Sequence, residues 1–370
     1  MNPGLARASR SSTVTEHVGS QTSRCRERAP CATAFVYPEL VRLPRTVLGR
    51  EVLGRALGAA EHGFGVVWSV GELAVMLRRA RELAGDRHGG ALGEALAREG
   101  FHPEIDAASL PLVERDGVIS GPSPYRRVTG PSRDRVLGRR IAAKKPSKRL
   151  VFVCHCYGIP SPRTMSRLFG LAGSRDFDVA YNVMAHHQPG TYVLWPGSGL
   201  VSASPSRFVD NLRAAITGAR ALLSWLVSRH GYERVDVIGF SIGGQLALHL
   251  SNAEPVHGAI LYCPVTDLAS VSRGLGLMRH AHPHVEALLA RAGISLDALH
   301  VADPLSHPSR LAEERTHVIV QRHDALTPLA QVERIRRARP RVRWHELDGT
   351  HLYPADLPRL HRLVRDALAA

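Results

Sequence analysis

The stretch RVDVIGFSIGGQLALHL, residues 234–250, places the tightest constraint on how this chain folds. Its first half is a nearly continuous apolar run, which is typical of a buried strand, and apolar residues at helical spacing begin at Ile242. Ser241 stands at the junction, with Gly239 before it and Gly243 after it. A strand–turn–helix corner strains its central residue, lifts that side chain above the sheet, and needs small neighbours two residues away. The pattern therefore predicts an exposed serine at the start of a helix, where free N–H groups face the site.

A serine hydroxyl is a weak nucleophile at neutral pH, so it needs a base and an acid that orients the base. Downstream, VIVQRHDALTP predicts a buried strand that leads to Asp324, and VRWHELDGTHLYP predicts the last strand, followed by His351. Because the carboxyl ends of parallel strands meet at one edge, both side chains are expected beside Ser241. Asp267, in CPVTD, follows the preceding strand and is the alternative acid for His351.

The oxyanion of a tetrahedral intermediate needs two N–H donors, and the sequence offers candidates for both. One is the backbone N–H of Ile242, directly after the serine, and the other is expected in the loop after an early strand. VFVCHCYGIP, residues 151–160, is that strand and loop, so the backbone N–H of Cys156 or Tyr157 is the second candidate. The side chains of His155 and Cys156 are interpreted as loop packing without direct chemistry.

Strands and helices alternate from about residue 108 onward. The clearest helix, 205–230, is expected to be capped by Ser204 and closed by Gly231. This alternation predicts an α/β fold, a mostly parallel sheet flanked by helices. The predicted strands are 135–143, 149–155, 178–184, 234–240, 258–264, 317–321 and 342–347.

The chain divides into three predicted regions. Residues 1–45 are rich in Ser, Thr, Arg and Pro without periodicity, which predicts a disordered leader. Residues 46–107 carry apolar residues at helical spacing and are expected to form an N-terminal helical segment. Residues 108–370 form the predicted α/β domain, in which 268–314 is a helical insertion before the acid-bearing strand and a possible lid.

Composition limits the partners of the chain. The net charge is +15, but only three of the 48 basic residues are lysines and no nucleic-acid-binding motif accompanies them. Binding to nucleic acid is therefore not expected. The longest apolar stretch near the N-terminus, residues 63–77, is too short to span a bilayer, and the sequence shows no secretory signal.

The cysteines bear on metal binding and on location. Five cysteines, an odd number, argue against a disulfide framework and favour a reducing, cytoplasmic compartment. Cys154 and Cys156 form a C-x-C pair, but no second pair stands at zinc-ligand spacing. No metal site is predicted.

From about residue 110 the chain resembles an α/β-hydrolase, most clearly at the serine corner, in HDALTP and in DGTH. It is also similar to a little-studied branch of α/β-hydrolase-domain proteins, which share ALLSWL (221–226) and GFSIGG. One position departs from the family pattern. The oxyanion loop of the family usually reads His-Gly-x-Gly, whereas this chain has His155, Cys156, Tyr157 and Gly158.

The resemblance and the residues together imply a serine hydrolase that cleaves a carboxylic ester or thioester through an acyl-enzyme. Peptidase or lactonase activity uses the same machinery and stays open. No cofactor is implied, and the expected partner is a small acyl substrate. The alternative is a non-catalytic binding protein with this fold. A dehalogenase or epoxide hydrolase would need an aspartate in place of Ser241, and the sequence excludes it.

Overall fold

A computed structural model describes residues 89–130, 134–159, 162–174, 176–188, 191, 196–200, 202, 204–268, 287 and 296–370. The predicted leader lies wholly outside these residues. So do positions 46–88 of the predicted helical segment and most of the possible lid. Every described residue belongs to one unit, Leu43–Ala370.

The described strands form one nine-stranded sheet in the order β1-β2-β3-β5-β4-β6-β7-β8-β9. Strands β1, β2, β3 and β5 pair antiparallel, and all pairs from β5 through β4 to β9 are parallel. The mostly parallel sheet expected from the sequence is therefore confirmed. The strands are β1 Val113–Arg115, β2 Val118–Pro122, β3 Arg135–Ile141, β4 Arg149–Cys154, β5 Asp178–Asn182, β6 Arg234–Phe240, β7 Gly258–Tyr262, β8 Thr316–Gln321 and β9 Arg343–Leu347.

The hairpin of β1 and β2 was not expected from the sequence. Its turn contains Asp116 at φ 51° and Gly117 at φ 74°. Positive φ at both central residues is the type I′ geometry that Asp-Gly favours in two-residue hairpins. The strands are short and carry the exposed Val113 and Val118, so they lack the buried apolar run that marks the parallel strands.

The central strands are buried on both faces. In β4, Leu150 and Phe152 pack into one apolar cluster, whereas Val151 and Val153 pack into a second cluster on the other side of the sheet. Because side chains on both faces of these strands are buried, the strand sequences are continuous apolar runs rather than alternating apolar and polar residues. Helices α3 and α4 contribute to the first cluster, and α2 and α6 contribute to the second.

Helix α3 has the boundaries that the sequence predicted. The Ser204 hydroxyl accepts a hydrogen bond from the Arg207 N–H at 3.1 Å, and Gly231 ends the helix at φ 63°. No helix in the described part of the chain is both long and apolar enough to cross a membrane. The described α-helices are α1 Gly89–Glu99, α2 Pro162–Leu168, α3 Pro205–His230, α4 Ile242–Ala253, α5 Leu329–Ala338 and α6 Leu357–Ala369.

A buried arginine joins α3 to the residues that follow α1. The Arg213 side chain is 0% exposed. Its Nη2 donates to the carbonyl oxygen of Gly100 at 2.7 Å, and its Nε donates to that of Phe101 at 3.3 Å. A buried charge is costly unless its hydrogen bonds are satisfied, so these two carbonyls stabilise the helix face on which Arg213 lies.

Three histidines, His102, His249 and His307, form a cluster around His249, which lies in α4. The Nε2 of His249 lies 3.2 Å from the carbonyl oxygen of Ala302, so that nitrogen carries the proton. The Nδ1 of His249 is then an acceptor, and it takes a hydrogen bond from the Nε2 of His102 at 3.0 Å. The ring of His307 stacks on Phe101 with centroids 4.9 Å apart. Because its Nδ1 accepts while its Nε2 donates, the His249 ring must be neutral.

The cluster makes the fold sensitive to acid. Burial, the neighbouring His307 and two arginines lower the pKa of His102 to about 3, and burial lowers the pKa of His249 well below its ordinary value. In the unfolded chain these histidines have ordinary pKa values near 6.5. Below that pH the unfolded chain therefore binds protons that the folded chain does not bind. Stability contributed by neutral burial is therefore complete above pH 6.5 and is lost as the pH falls below it.

We expect the free energy of unfolding to drop as the pH is lowered from 6.5 to 5. Each proton that binds to the unfolded chain but not to the folded chain adds up to about 1.4 kcal/mol per pH unit to the slope of the unfolding free energy against pH. Carboxylates titrate mostly below this window, so the slope reports on histidines. Urea unfolding at closely spaced pH values measures it, and His249→Gln should reduce the slope while lowering stability at pH 7. A flat profile from pH 6.5 to 5 would contradict the assignment.

Candidate active site

Ser241 occupies a sharp corner between β6 and α4. Its backbone has φ 55° and ψ −120°, a conformation that a non-glycine residue adopts only when its surroundings impose it. The constraint comes from β7 and the loop after it. The Ser241 N–H donates to the Tyr262 carbonyl at 3.0 Å, and the Ser241 carbonyl accepts from the Val265 N–H at 3.0 Å. The strained corner predicted from the sequence is therefore present.

The glycines around the corner are required by close backbone approach. A Cβ on Gly239 would lie 2.0 Å from the carbonyl oxygen of Gly243. A Cβ on Gly243 would lie 2.5 Å from the carbonyl oxygen of Cys154 and 2.9 Å from that of His155. The first turn of α4 thus lies directly against β6 and against the loop after β4, which brings the predicted oxyanion loop next to the serine.

Asp324 and His351 form a buried pair at the ends of β8 and β9. The Nδ1 of His351 lies 2.8 Å from Oδ2 of Asp324, and the two side chains are only 3% and 2% exposed. The imidazole packs on the ring of Phe240, the residue before Ser241, with centroids 4.7 Å apart. This contact places the imidazole beside the corner, with Nδ1 directed at the carboxylate.

The Asp324 carboxylate is held in its ionised form. Burial alone raises its pKa, but the charge and hydrogen bond of His351 and the hydrogen bonds of Thr327 outweigh burial and lower it. Oδ1 accepts from the N–H groups of Leu326 and Thr327 at 2.9 and 2.7 Å, and Oδ2 accepts from the Thr327 hydroxyl at 2.5 Å. These donors fix the carboxylate on one side of the imidazole.

Asp267, the alternative acid, has a different partner. Its carboxylate lies 3.8 Å from the Arg334 guanidinium and is 18% exposed. Its carbonyl oxygen accepts from the Gln331 side chain at 2.6 Å. Both contacts tie the end of β7 to α5. The structure therefore brings Asp324, rather than Asp267, into hydrogen-bonding contact with His351.

The loop after β4 is anchored by His155. The N–H of His155 donates to the Asn182 side chain at 2.9 Å, and its Nε2 donates to the carbonyl of Ile159 at 2.8 Å. Burial lowers the pKa of His155 to about 4, so the ring is neutral. Its nitrogens hold the backbone of the loop on which Cys156 and Tyr157 lie.

Ser241, Asp324 and His351 follow strands β6, β8 and β9, and all three lie at the same edge of the sheet. The sheet starts with antiparallel strands, continues parallel, and carries a serine corner between a central strand and its helix. This is the arrangement that the sequence resemblance implied. The chain has the α/β-hydrolase fold.

Solved structures with similar folds include α/β-hydrolases and esterases. A putative α/β-hydrolase of unknown function from Agrobacterium tumefaciens is 16% identical, with 68% of this chain and 94% of that chain covered and a TM-score of 0.42. Est1E from Butyrivibrio proteoclasticus, solved with ferulic acid, is 11% identical, with 70% and 97% covered and a TM-score of 0.47. An esterase from Pyrococcus furiosus is 15% identical, with 72% and 96% covered and a TM-score of 0.46.

No protein-family model matches the chain. No curated protein matches it either.

Three residues of this site were not expected from the sequence. Thr327 contacts both Asp324 and His351, with its hydroxyl 3.2 Å from the imidazole Nδ1. Its place between Asp and Pro in HDALTP was an available signal, because a threonine three residues after an aspartate often closes a turn. His187 accepts from the Gly158 N–H at 3.1 Å. The two residues are 29 positions apart in the chain, so no local sequence pattern predicts their contact.

Cys263 is the third of these residues. It directly follows β7 at φ 43° and is fully buried. Potential metal-ligating atoms of Cys263, Asp324 and His351 lie within 4.8 Å of one another, the one such group in the part of the chain that the structure describes. The Asp324–His351 hydrogen bond already satisfies the carboxylate and the Nδ1 without an ion.

The close approach at Gly239 gives a test of the corner. We expect Gly239→Ala to lower the free energy of unfolding by about 3 kcal/mol or more, because the clash is with backbone that cannot turn aside. Gly218, inside α3, is the matched control, since a Cβ there meets nothing within 4 Å. Gly218→Ala should stabilise the protein by up to about 1 kcal/mol through helix propensity. Equal stability of the two variants, measured in urea, would contradict the corner geometry.

Proposed function

We propose that the protein is a serine hydrolase that cleaves a carboxylic ester or thioester through an acyl-enzyme intermediate. Ser241 is the nucleophile, His351 is the general base and acid, and Asp324 orients the imidazole. The observation that carries the proposal is the strained Ser241 corner beside a fully buried Asp324–His351 pair joined at 2.8 Å. A strained backbone and a buried ionised carboxylate are both costly, and they concentrate at functional sites.

The hydrogen bond to Asp324 fixes the tautomer of His351. The ionised carboxylate only accepts, so Nδ1 carries the proton and Nε2 keeps its lone pair. The lone pair takes the proton of the Ser241 hydroxyl as the oxygen attacks the acyl carbon. The tetrahedral intermediate then collapses, the alkoxide or thiolate leaves with the proton from Nε2, and water hydrolyses the acyl-enzyme by the same steps in reverse order.

The charge on the intermediate requires donors that are aligned before the reaction. The N–H of Ile242, at the start of α4, is proposed as the first donor. The N–H of Tyr157 or Cys156 is proposed as the second, and the anchored loop around His155 would keep it aligned. The close approach of this loop to α4 at Gly243 supports the proposal, because it brings the two candidate donors near each other.

A cytoplasmic location is part of the proposal. The three described cysteines, Cys154, Cys156 and Cys263, are free and buried. Free thiols suit a reducing compartment.

Active-site labelling and turnover test the function together. The purified protein should react with a fluorophosphonate probe at one residue and hydrolyse p-nitrophenyl esters or acyl thioesters, with a burst of the first product. Comparing acyl chains from acetyl to dodecanoyl then defines the substrate class. A folded protein that neither reacts with the probe nor turns over any ester or thioester would refute the proposal and favour the non-catalytic binding protein.

A further inference from the structure

The loop after β4, which carries the proposed second oxyanion donor, is held by the segment that follows β5. The His155 N–H donates to the Asn182 side chain at 2.9 Å, and the Gly158 N–H donates to Nε2 of His187 at 3.1 Å. The two candidates for the second donor stand between His155 and Gly158 in the chain. Hydrogen bonds on both sides therefore limit how the peptide groups of the candidate donors can rotate.

The imidazole of His187 is also packed against the side chains of this loop. Its ring meets the ring of His155 edge-on with centroids 4.6 Å apart, and it meets the ring of Tyr157 with centroids 5.6 Å apart. Gly197 lies against both His187 and Tyr157, since a Cβ there would be 2.6 Å from Nε2 of His187 and 2.8 Å from the Tyr157 ring. These contacts confine the imidazole while its Nε2 accepts from the loop.

The hydrogen bond from Gly158 determines which nitrogen of His187 carries the proton. Nε2 accepts, so Nδ1 is protonated and the ring is neutral. Burial and the neighbouring His155 and His186 lower the pKa of His187 well below its ordinary value, so the ring stays neutral at pH 7. The Nδ1 is buried and has no hydrogen-bond partner among the described residues. A buried, unpaired N–H costs free energy, which makes a histidine a poor choice for packing alone.

We propose that His187 is a positioning residue for the second oxyanion donor, because its Nε2 accepts the Gly158 N–H and thereby fixes the turn on which that donor lies. This inference rests on the proposed hydrolase function. The donors must be aligned before the oxyanion forms, since turning a peptide group during the reaction would raise the barrier. The Gly158 N–H is already bonded to His187, so the second donor remains the N–H of Cys156 or Tyr157.

Two substitutions at His187 test the inference. His187→Phe keeps a flat ring but removes the acceptor, whereas His187→Gln keeps an acceptor oxygen. With the p-nitrophenyl ester that the unaltered protein hydrolyses fastest, we expect His187→Phe to lower kcat/KM by about tenfold or more. The affinity for an alkyl trifluoromethyl ketone, which forms an oxyanion on the serine, should fall by the same factor. His187→Gln should retain most of both quantities. A histidine that only packs the interior would change the folded fraction and leave both quantities, per folded molecule, unaltered.

His257→Phe is the matched control, because it removes the same kind of hydrogen bond elsewhere. The Nδ1 of His257 accepts the backbone N–H of Val235 at 3.1 Å. His257 directly precedes β7, whereas Ser241 directly follows the parallel strand β6, so the two lie at opposite edges of the sheet. For this variant kcat/KM and the ketone affinity, per folded molecule, should stay within about twofold of the unaltered values.

A variant in another loop tests the same contact without changing the histidine. Gly197→Ala would place a methyl group against Nε2 of His187 and the Tyr157 ring, so kcat/KM and the ketone affinity should both fall. Gly197 has φ 100°, so the effect of backbone strain needs its own control. Gly173→Ala provides it, since Gly173 has φ 76° and a Cβ there meets nothing within 4 Å. That control should lose stability and keep its activity per folded molecule. Gly197→Ala decides the question if His187→Phe does not fold.

Fluorophosphonate labelling separates the possible failures. If His187→Phe keeps kcat/KM and ketone affinity within about twofold of the unaltered values while Ser241 is still labelled, the inference is overturned and the hydrolase stands. A loss in His187→Gln as large as in His187→Phe would also overturn it, because glutamine keeps the acceptor. If the unaltered protein neither reacts with the probe nor hydrolyses any ester or thioester, the proposed function fails and this inference fails with it.

Discussion

Replacing Ser241 with alanine is expected to abolish fluorophosphonate labelling and to lower kcat for any ester substrate by about 10⁶-fold. The reason is that alanine keeps the Cβ but removes the only oxygen available for acyl transfer at the corner. Backbone strain at φ 55° is the same for alanine as for serine, so the fold should be retained. Labelling, turnover and urea unfolding of the variant measure the three expectations.

Two further variants make the Ser241 result specific. Ser241→Gly should be equally inactive but more stable by about 1 kcal/mol, because glycine tolerates positive φ. Ser251→Ala, at the other end of α4, removes a hydroxyl that donates to the carbonyl of Ala247 at 2.8 Å within the same helix. That variant should label like the unaltered protein. Equal labelling of Ser241→Ala and Ser251→Ala would refute Ser241 as the nucleophile.

The second large effect is expected at Asp324. Asparagine in its place would keep Oδ1, which accepts from the backbone of Leu326 and Thr327, but would present an NH₂ group to His351. Nδ1 would then have to accept, and the proton would move to Nε2, where it blocks removal of the serine proton. We expect Asp324→Asn to lower kcat by about 10⁴-fold while the protein stays folded.

Asp267→Asn is the matched comparison, since it makes the same chemical change at the other candidate acid. Asp267 is 3.8 Å from Arg334 and partly exposed, so the ion pair contributes little. We expect kcat within a few-fold of the unaltered value and a small loss of stability. If kinetic measurements show Asp267→Asn to be the more damaging variant, the assignment of Asp324 is wrong.

The sequence predicted the parallel part of the fold well because strands that are buried on both faces contain apolar runs, which can be recognised in the sequence. Strands β4 and β6 to β8 are buried at nearly every position and each contains an apolar run, and β6 has the predicted bounds. The β1–β2 hairpin was missed because its strands are short and partly exposed. The Asp116–Gly117 turn was its only strong signal.

At the site, the sequence indicated residues whose role depends on position along the chain. Ser241, Asp324 and His351 each follow a recognisable strand, and their order limits the alternatives. The contacts of Cys263 and His187 depend on how separate loops meet in space. Gly158 and His187 are 29 residues apart, so no local sequence pattern predicts their hydrogen bond, which forms only in the folded chain.

The buried Arg213 has a consequence for how the protein loses its structure. Its guanidinium is bonded to the carbonyls of Gly100 and Phe101, and its side chain has no exposure to solvent. If residues 100–101 detached while α3 stayed in place, the buried guanidinium would lose two hydrogen-bond acceptors and would keep the weaker contact of its Nη1 with the Tyr125 hydroxyl at 3.3 Å. Detachment of this segment alone is therefore costly, and we expect the segment and the helix to unfold together.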